Sequence, residues 1–135
     1  MTATACYRES EAERKITFVK LPEAVDVTND RVVLESLAAA LAGSPSIVVA
    51  DGGATAFCDC AGISALICAH RQAAAAGAHL RVVAAGVQVQ RVIKLSAACD
   101  VLDVYRTMDD ALADITGRAA TDLVPVIAAL TGETG

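Results

Sequence analysis

Two short apolar runs rich in β-branched residues, "SIVVAD" (46–51) and "LRVVAA" (80–85), bracket a longer segment of different periodicity. A continuous apolar run has no polar face to turn toward water, so each reads as a strand buried on both sides. The segment between them, "GISALICAHRQAAAAGA", puts Ile63, Leu66, Ile67, His70 and Ala74 on one helical face, and Gly77 stands where that helix would end. Strand, helix, strand in this order is the unit of an α/β layer, with helices packed on a sheet.

The rest of the chain extends the pattern. "KITFVK" (15–20) alternates, with Ile16, Phe18 and Leu21 set against Thr17, Val19 and Lys20, which predicts a half-buried strand. A short edge strand is expected before it, around Cys6 to Glu9. "LPEAVDVTND" (21–30) reads as a loop in which Pro22 ends the strand and Thr28 or Asn29 can cap the next helix. In "DRVVLESLAAALAG" Val33, Leu34, Leu37 and Leu41 recur at helical spacing, and Gly43 occupies the expected left-handed C-terminal position. "TAFCD" (55–59) extends or returns the preceding strand. "VQVQRVIKLS" (87–96) is an amphipathic helix with Val89, Val92 and Ile93 inward, "VLDVY" (101–105) a short strand, and "TMDDALADI" a helix opened by a Thr107-x-x-Asp110 capping box. The expected order is β-β-α-β-α-β-α-β-α: an α/β domain over residues 1–116, with about four helices on a mixed sheet of four to five strands. From Gly117 the composition changes. Leu123, Val126, Ile127 and Leu130 keep helical spacing around Pro125, so 117–135 is expected to be a tail or an appended helix.

Several function classes are disfavoured at this level. The chain has 135 residues, 55% of them hydrophobic, which suits one domain with a real core and excludes disorder for most of its length. Charged residues interrupt every apolar stretch well short of the roughly 18 residues of a membrane span. "MTATACYRESEAERK" lacks the pattern of a signal peptide, so a cytoplasmic protein is expected. A net charge of −5 with 3% aromatics offers neither the basic surface nor the stacking platforms of a nucleic-acid binder. The five cysteines (Cys6, Cys58, Cys60, Cys68 and Cys99) include no C-x2-C knuckle, and His70 and His79 do not complete a zinc spacing, so no metal is expected. "DGGATAF" is not a phosphate-binding loop, and no carboxylate pair stands out as acid and base. His70 lies ten residues beyond Cys60, about 15 Å along one helix at 1.5 Å per residue, which is too far for a Cys-His pair. His70 is expected to be a satisfied core histidine and His79 to be exposed. No catalytic residue and no cofactor are expected.

"AFCDCAGISAL" (56–66) is the unusual stretch, a Cys-Asp-Cys running straight into a helix. This turn and the 21–30 loop each precede a helix and would meet at one edge of the sheet. Backbone N–H groups at a helix start would face whatever group residue 60 carries. A phosphate would be well placed there, and so would a thiolate.

Taken together, "LPEAVDVTN", "SIVVAD", "FCDCAGISAL", "LRVVAA" and "VQRVIKLS…VLDVY…DDAL", in this order and spacing, resemble the STAS domain family from Cys6 to about Ile115. Its small stand-alone members are anti-sigma factor antagonists, and the resemblance implies a single STAS-like domain. In that family the turn reads Asp-Ser-Ser/Thr-Gly-Leu/Ile. The serine after the aspartate is phosphorylated by an anti-sigma factor acting as a kinase. The unphosphorylated antagonist binds the anti-sigma factor and frees the sigma factor, and phosphate abolishes that binding. Asp59, Gly62 and Ile63 match the motif, while Cys60 stands at the phosphoserine position and Ala61 at the next hydroxyl. Asp26, Thr28 and Asn29 match the second loop of the partner-binding face.

The resemblance thus implies a non-enzymatic bacterial module that regulates transcription by binding a kinase-like anti-sigma factor, with the phospho-switch lost or altered. It implies neither a nucleic-acid nor a membrane partner, and a monomer or weak homodimer. Two variants of this reading are a thiol-regulated antagonist using Cys60 with Cys58 as resolving partner, and a STAS scaffold subunit of a stress-signalling complex docked through 117–135.

Overall fold

The computed structural model describes residues 15–115 and 124–125. β1 (Ile16–Lys20), β3 (Ile47–Gly52), β5 (His79–Ala84), β6 (Asp103–Tyr105) and β7 (Val124–Pro125) form one sheet in the order β6-β5-β3-β1-β7. Two further strands, β2 (Ala24–Val25) and β4 (Phe57–Cys58), pair with each other as a separate ribbon. The helices are α1 (Asp30–Leu41), α2 (Cys60–Ala75), α3 (Val87–Leu95) and α4 (Met108–Ala111), with a 3-10 turn at Ala98–Asp100.

Every pairing among the described residues is parallel. Helical crossovers return the chain to the edge from which it started, which is the geometry parallel pairing requires. A mixed sheet was expected from the sequence. The edge strand expected around Cys6 to Glu9 lies outside the described residues, as does the 117–135 segment apart from the backbone of β7.

The continuous apolar runs are explained by two cores, one on each side of the sheet. Val48 and Ala50 of β3 join Leu80 and Val82 of β5 in the larger core, with Val33 and Leu37 of α1, Ile63 and Leu66 of α2, and Val89 and Ile93 of α3. Ile47 and Val49 turn the other way, onto Ile16, Val83 and Ala111, with Met108, Leu112 and Ile115 around them. Both faces are covered, so neither needs polar residues.

The same coverage corrects the reading of β1 as half-buried. Val19 and Thr17 are both buried, because α1 packs on the face that the alternation assigned to solvent. In α1, Val33 and Leu37 are inward as expected, whereas Leu34 and Leu41 are only partly buried and Ser36 and Ala40 complete the inward face. Buried Ser36 is satisfied by donating its hydroxyl to the Val32 carbonyl at 2.9 Å.

The helix ends also differ in part. Gly77 is left-handed, with φ +79, as expected. After α1 the left-handed residue is Ser44, φ 57, rather than Gly43. The cap falls at Ala42, and the Ser44 N–H still reaches back to the Leu41 carbonyl at 2.9 Å, so the chain reverses one residue later. In α2 the inward arc runs through Gly62, Ile63, Ala65, Leu66, Ala69 and Ala73. That arc leaves Ala74 exposed and His70 at its margin, half-buried, with Nδ1 lacking a hydrogen-bond partner among the described residues. The satisfied core histidine expected at position 70 is therefore not found. His79 opens β5 and is exposed, as expected.

Across the second face, Arg81 of β5 ties α4 to the sheet. Its Nη1 donates to the Ala111 carbonyl at 2.6 Å and to Asp114 at 2.8 Å, Nη2 donates to Asp114 at 2.9 Å, and the guanidinium lies over Tyr105, 5.8 Å from the ring centre. The Asp114 hydrogen bonds, opposed by partial burial, hold Arg81 above its ordinary pKa. Thr107 caps α4 as its sequence predicts, its hydroxyl accepting from Asp110 N–H at 3.0 Å.

Candidate functional site

The stretch 56–66 changes from strand to helix within one residue. Asp59 is the N-cap of α2, at φ −115 and ψ −170, and its carboxylate accepts the Gly62 N–H at 3.0 Å. A short carboxylate at this position satisfies one of the donors that a helix start leaves unpaired. Gly62 is required by space. A Cβ there would lie 2.6 Å from the Val25 carbonyl oxygen, 2.7 Å from Cys58 Sγ and 2.9 Å from Val25 Cγ1. The first turn of α2 thus rests directly on β2.

The other loop is built around Asn29. It occupies the N-cap position of α1, yet its side chain makes no cap bond. Instead Oδ1 accepts from Asp26 N–H at 2.9 Å and Nδ2 donates to the Ala24 carbonyl at 2.7 Å, which folds the loop back on itself. Asp26 in turn accepts from the Thr28 hydroxyl at 2.5 Å and the Thr28 N–H at 2.9 Å. The Thr28 hydroxyl is the main reason the Asp26 carboxyl sits below its ordinary value, with the backbone N–H of Thr28 next. Neither Thr28 nor Asn29 therefore caps α1 through its side chain. Both are occupied within the loop.

Although 33 residues apart in sequence, the two loops are stitched together. Buried Thr55 donates its hydroxyl to the Pro22 carbonyl at 2.8 Å, Ala56 N–H and Phe57 N–H donate to Glu23 O at 2.7 and 3.2 Å, and Asp59 N–H donates to Val25 O at 3.2 Å. The β2–β4 pairs Ala24↔Phe57 and Val25↔Cys58 complete the seam. "LPEAVDVTND", expected as loop throughout, contains β2, and "TAFCD" neither extends nor returns β3 but forms the partner strand. Two-residue strands carry no periodicity, so only their partners reveal them. The assembled loops follow β1 and β3 at the C-terminal edge of the parallel sheet, where α/β proteins place their ligand sites.

Within the turn the two cysteines part. The strand ends at Cys58, which is buried, whereas Cys60 is exposed on the first residue of α2. Burial, with the charges of Asp59 and Cys60 adding to it, pushes the Cys58 thiol up to about 11. Ala61 and Asp59 are half-buried, Ile63 belongs to the core, and Ser64 is exposed on the helix as expected. Gln88 of α3, which nothing in the sequence marked, bonds Cys58 on both sides of its main chain. Exposed apolar side chains stand on the same segments: Val27 after β2, Phe57 in β4 and Val87 at the start of α3. Among the described residues no cluster of three or more His, Cys, Asp or Glu side chains is placed to hold a metal ion, and no helix is long and apolar enough to cross a membrane.

A parallel α/β sheet with its first helices on one face and two linked loops at the edge, the second closed by an Asp-capped turn, defines a STAS domain. Residues 7–111 match the STAS domain family, and the chain belongs to it. An anti-sigma factor antagonist from Mycobacterium paratuberculosis is 25% identical and superposes with a TM-score of 0.65, over 73% of this chain and 85% of that one. A sulfate transporter family protein from Wolinella succinogenes shares the fold at 14% identity and a TM-score of 0.65, over 73% and 83%. SpoIIAA, an anti-sigma factor antagonist in its unphosphorylated form, shares it at 10% identity and a TM-score of 0.51, over 75% and 88%. No curated protein matches the chain in sequence.

Proposed function

We propose that the chain is a binding module of the anti-sigma factor antagonist type, in which Cys60 replaces the phosphorylated serine and the phospho-switch is lost. The observation that carries this reading is the stitched pair of loops. Asp26, Thr28 and Asn29 on one, and Asp59 and Cys60 on the other, belong to a single surface from which residue 60 is exposed, with buried Gly62 seating the second turn on β2. The likeness to an antagonist at 25% identity supports it. The partner is an anti-sigma factor of the serine-kinase kind, and the role is regulation of transcription through protein contact rather than catalysis.

Phosphoryl transfer to serine needs a hydroxyl oxygen, and neither Cys60 nor Ala61 supplies one. Binding is accordingly constitutive with respect to ATP. The test is to co-purify the partner from the native host, then measure its affinity for the chain by calorimetry before and after incubation with ATP, with intact mass in parallel. Unchanged affinity and unchanged mass are expected, and Cys60→Ser should gain one phosphate and lose binding. A wild-type chain that gains a phosphate, or that does not bind the partner, overturns the reading.

Thiol regulation of the same site is a second reading, favoured by the exposure of Cys60. Cys58 is a poor resolving thiol for it, being buried and held protonated. The scaffold reading rests on 117–135, a segment beyond the described residues except for the β7 backbone.

A further inference from the structure

Cys58 is held from outside the two loops. Along β4, Phe57 and Asp59 direct their N–H groups to Glu23 and Val25 of the neighbouring segment. Alternation along a strand therefore turns the main chain of Cys58 the other way, toward the open edge of the ribbon. The side-chain amide of Gln88 fills that edge. Its Oε1 accepts from Cys58 N–H at 2.9 Å and its Nε2 donates to the Cys58 carbonyl at 3.0 Å. A carboxamide presents a donor and an acceptor together, as a peptide group does, so it substitutes for one residue of a third strand. A second contact sits beside it. A Cβ on Gly86, the residue before α3, would lie 2.8 Å from the Thr55 carbonyl oxygen, so the start of α3 is pressed against the backbone leading into the turn. Buried Val89 anchors the same helical turn in the core.

We propose that Gln88 is the positioning residue of the turn and that the start of α3 reports the state of residue 60. Residue 60 is separated from the latched residue only by Asp59, whose N–H and carboxylate are both engaged. A charge or added group at residue 60 shifts the Cys58–Asp59 backbone. The paired bonds then pass that shift to Gln88 and to its neighbour Val87, whose side chain is 73% exposed. The surface sensitive to residue 60 thus extends beyond the two loops onto α3. The inference rests on the reading of residue 60 as the switch position, but its test contains no partner, so the two fail separately.

The test is a double substitution read by NMR and hydrogen exchange on the full chain. Gln88→Met keeps length and bulk but removes both bonds, and Gln88→Asn keeps the amide but cannot reach both atoms. In either variant the Cys58 amide should exchange about tenfold faster, the value expected for loss of a hydrogen bond worth roughly 1.4 kcal/mol. In the wild-type background Cys60→Asp should shift the Gln88 side-chain amide resonances and the backbone amides of 87–92. In the Q88M or Q88N background the same Cys60→Asp change should leave 87–92 unmoved. Equal movement of 87–92 with and without Gln88, or no movement in the wild-type background, overturns the proposal. Should one variant fail to fold, the other gives the same comparison.

Discussion

Gly62 and Cys58 meet at the point where strand becomes helix, and each constrains the other. The Gly62 position leaves no room for a Cβ between the Val25 carbonyl and Cys58 Sγ. Gly62→Ala must therefore push α2 off β2, and overpacking of this kind costs about 1–3 kcal/mol. Urea denaturation should show a loss in that range, and amide exchange at Asp59 should accelerate because the Val25 bond lengthens. Cys58 makes a pH-dependent contribution whose sign follows from its burial. Its folded pKa of about 11 lies above the ordinary thiol value of 9.0, so between those pH values the folded chain retains a proton that the unfolded chain has released. Stability from this group is fully present below pH 9.0 and falls as pH rises toward 11. The denaturation midpoint of the wild type should drop more steeply across that window than that of Cys58→Ala, whatever their difference below it. Equal slopes would show that the Cys58 thiol is not held protonated by its burial.

At the level of elements, α4 is the least securely seated helix, with only four residues on its own face of the sheet. Arg81 compensates by donating to the last carbonyl of the helix and to Asp114 beyond it. Removing it should free α4 while leaving the larger core intact. Arg81→Met is expected to cost about 1.5–3 kcal/mol, the range for losing hydrogen bonds to a charged group. Asp114→Asn should cost less than about 1 kcal/mol, since that carboxylate is largely exposed and its charge is screened. Hydrogen exchange at 108–112 in Arg81→Met, without change at 63–73, would confirm that the loss is local. In β1 the alternation alone assigns Thr17 and Val19 to solvent, yet α1, the next helix along the chain, folds onto that side and buries both.

The two cores share one sheet, so the molecule should unfold as a unit despite the weak seating of α4. Leu66→Ala, in the larger core on the opposite side of the sheet from the smaller one, should cost about 2–5 kcal/mol. Far-UV and near-UV circular dichroism should report one coincident transition for it. Separate transitions would mean that the two faces fold independently. Much of this architecture was legible in the amino-acid order. "SIVVAD" and "LRVVAA" announce strands covered on both faces, helical spacing announces α1 to α3, and the Thr107 capping box announces α4, because burial and local capping write themselves into nearby residues. The Asp-capped turn around Asp59, Cys60 and Gly62 was legible for the same local reason. What local order could not disclose are the relations between distant segments. β2 and β4 are two residues each and exist only as partners, Asn29 closes its own loop instead of capping α1, and Gln88 reaches a backbone thirty positions earlier. Such contacts depend on where the packed helices and sheet bring the backbone, and only the folded chain sets those distances.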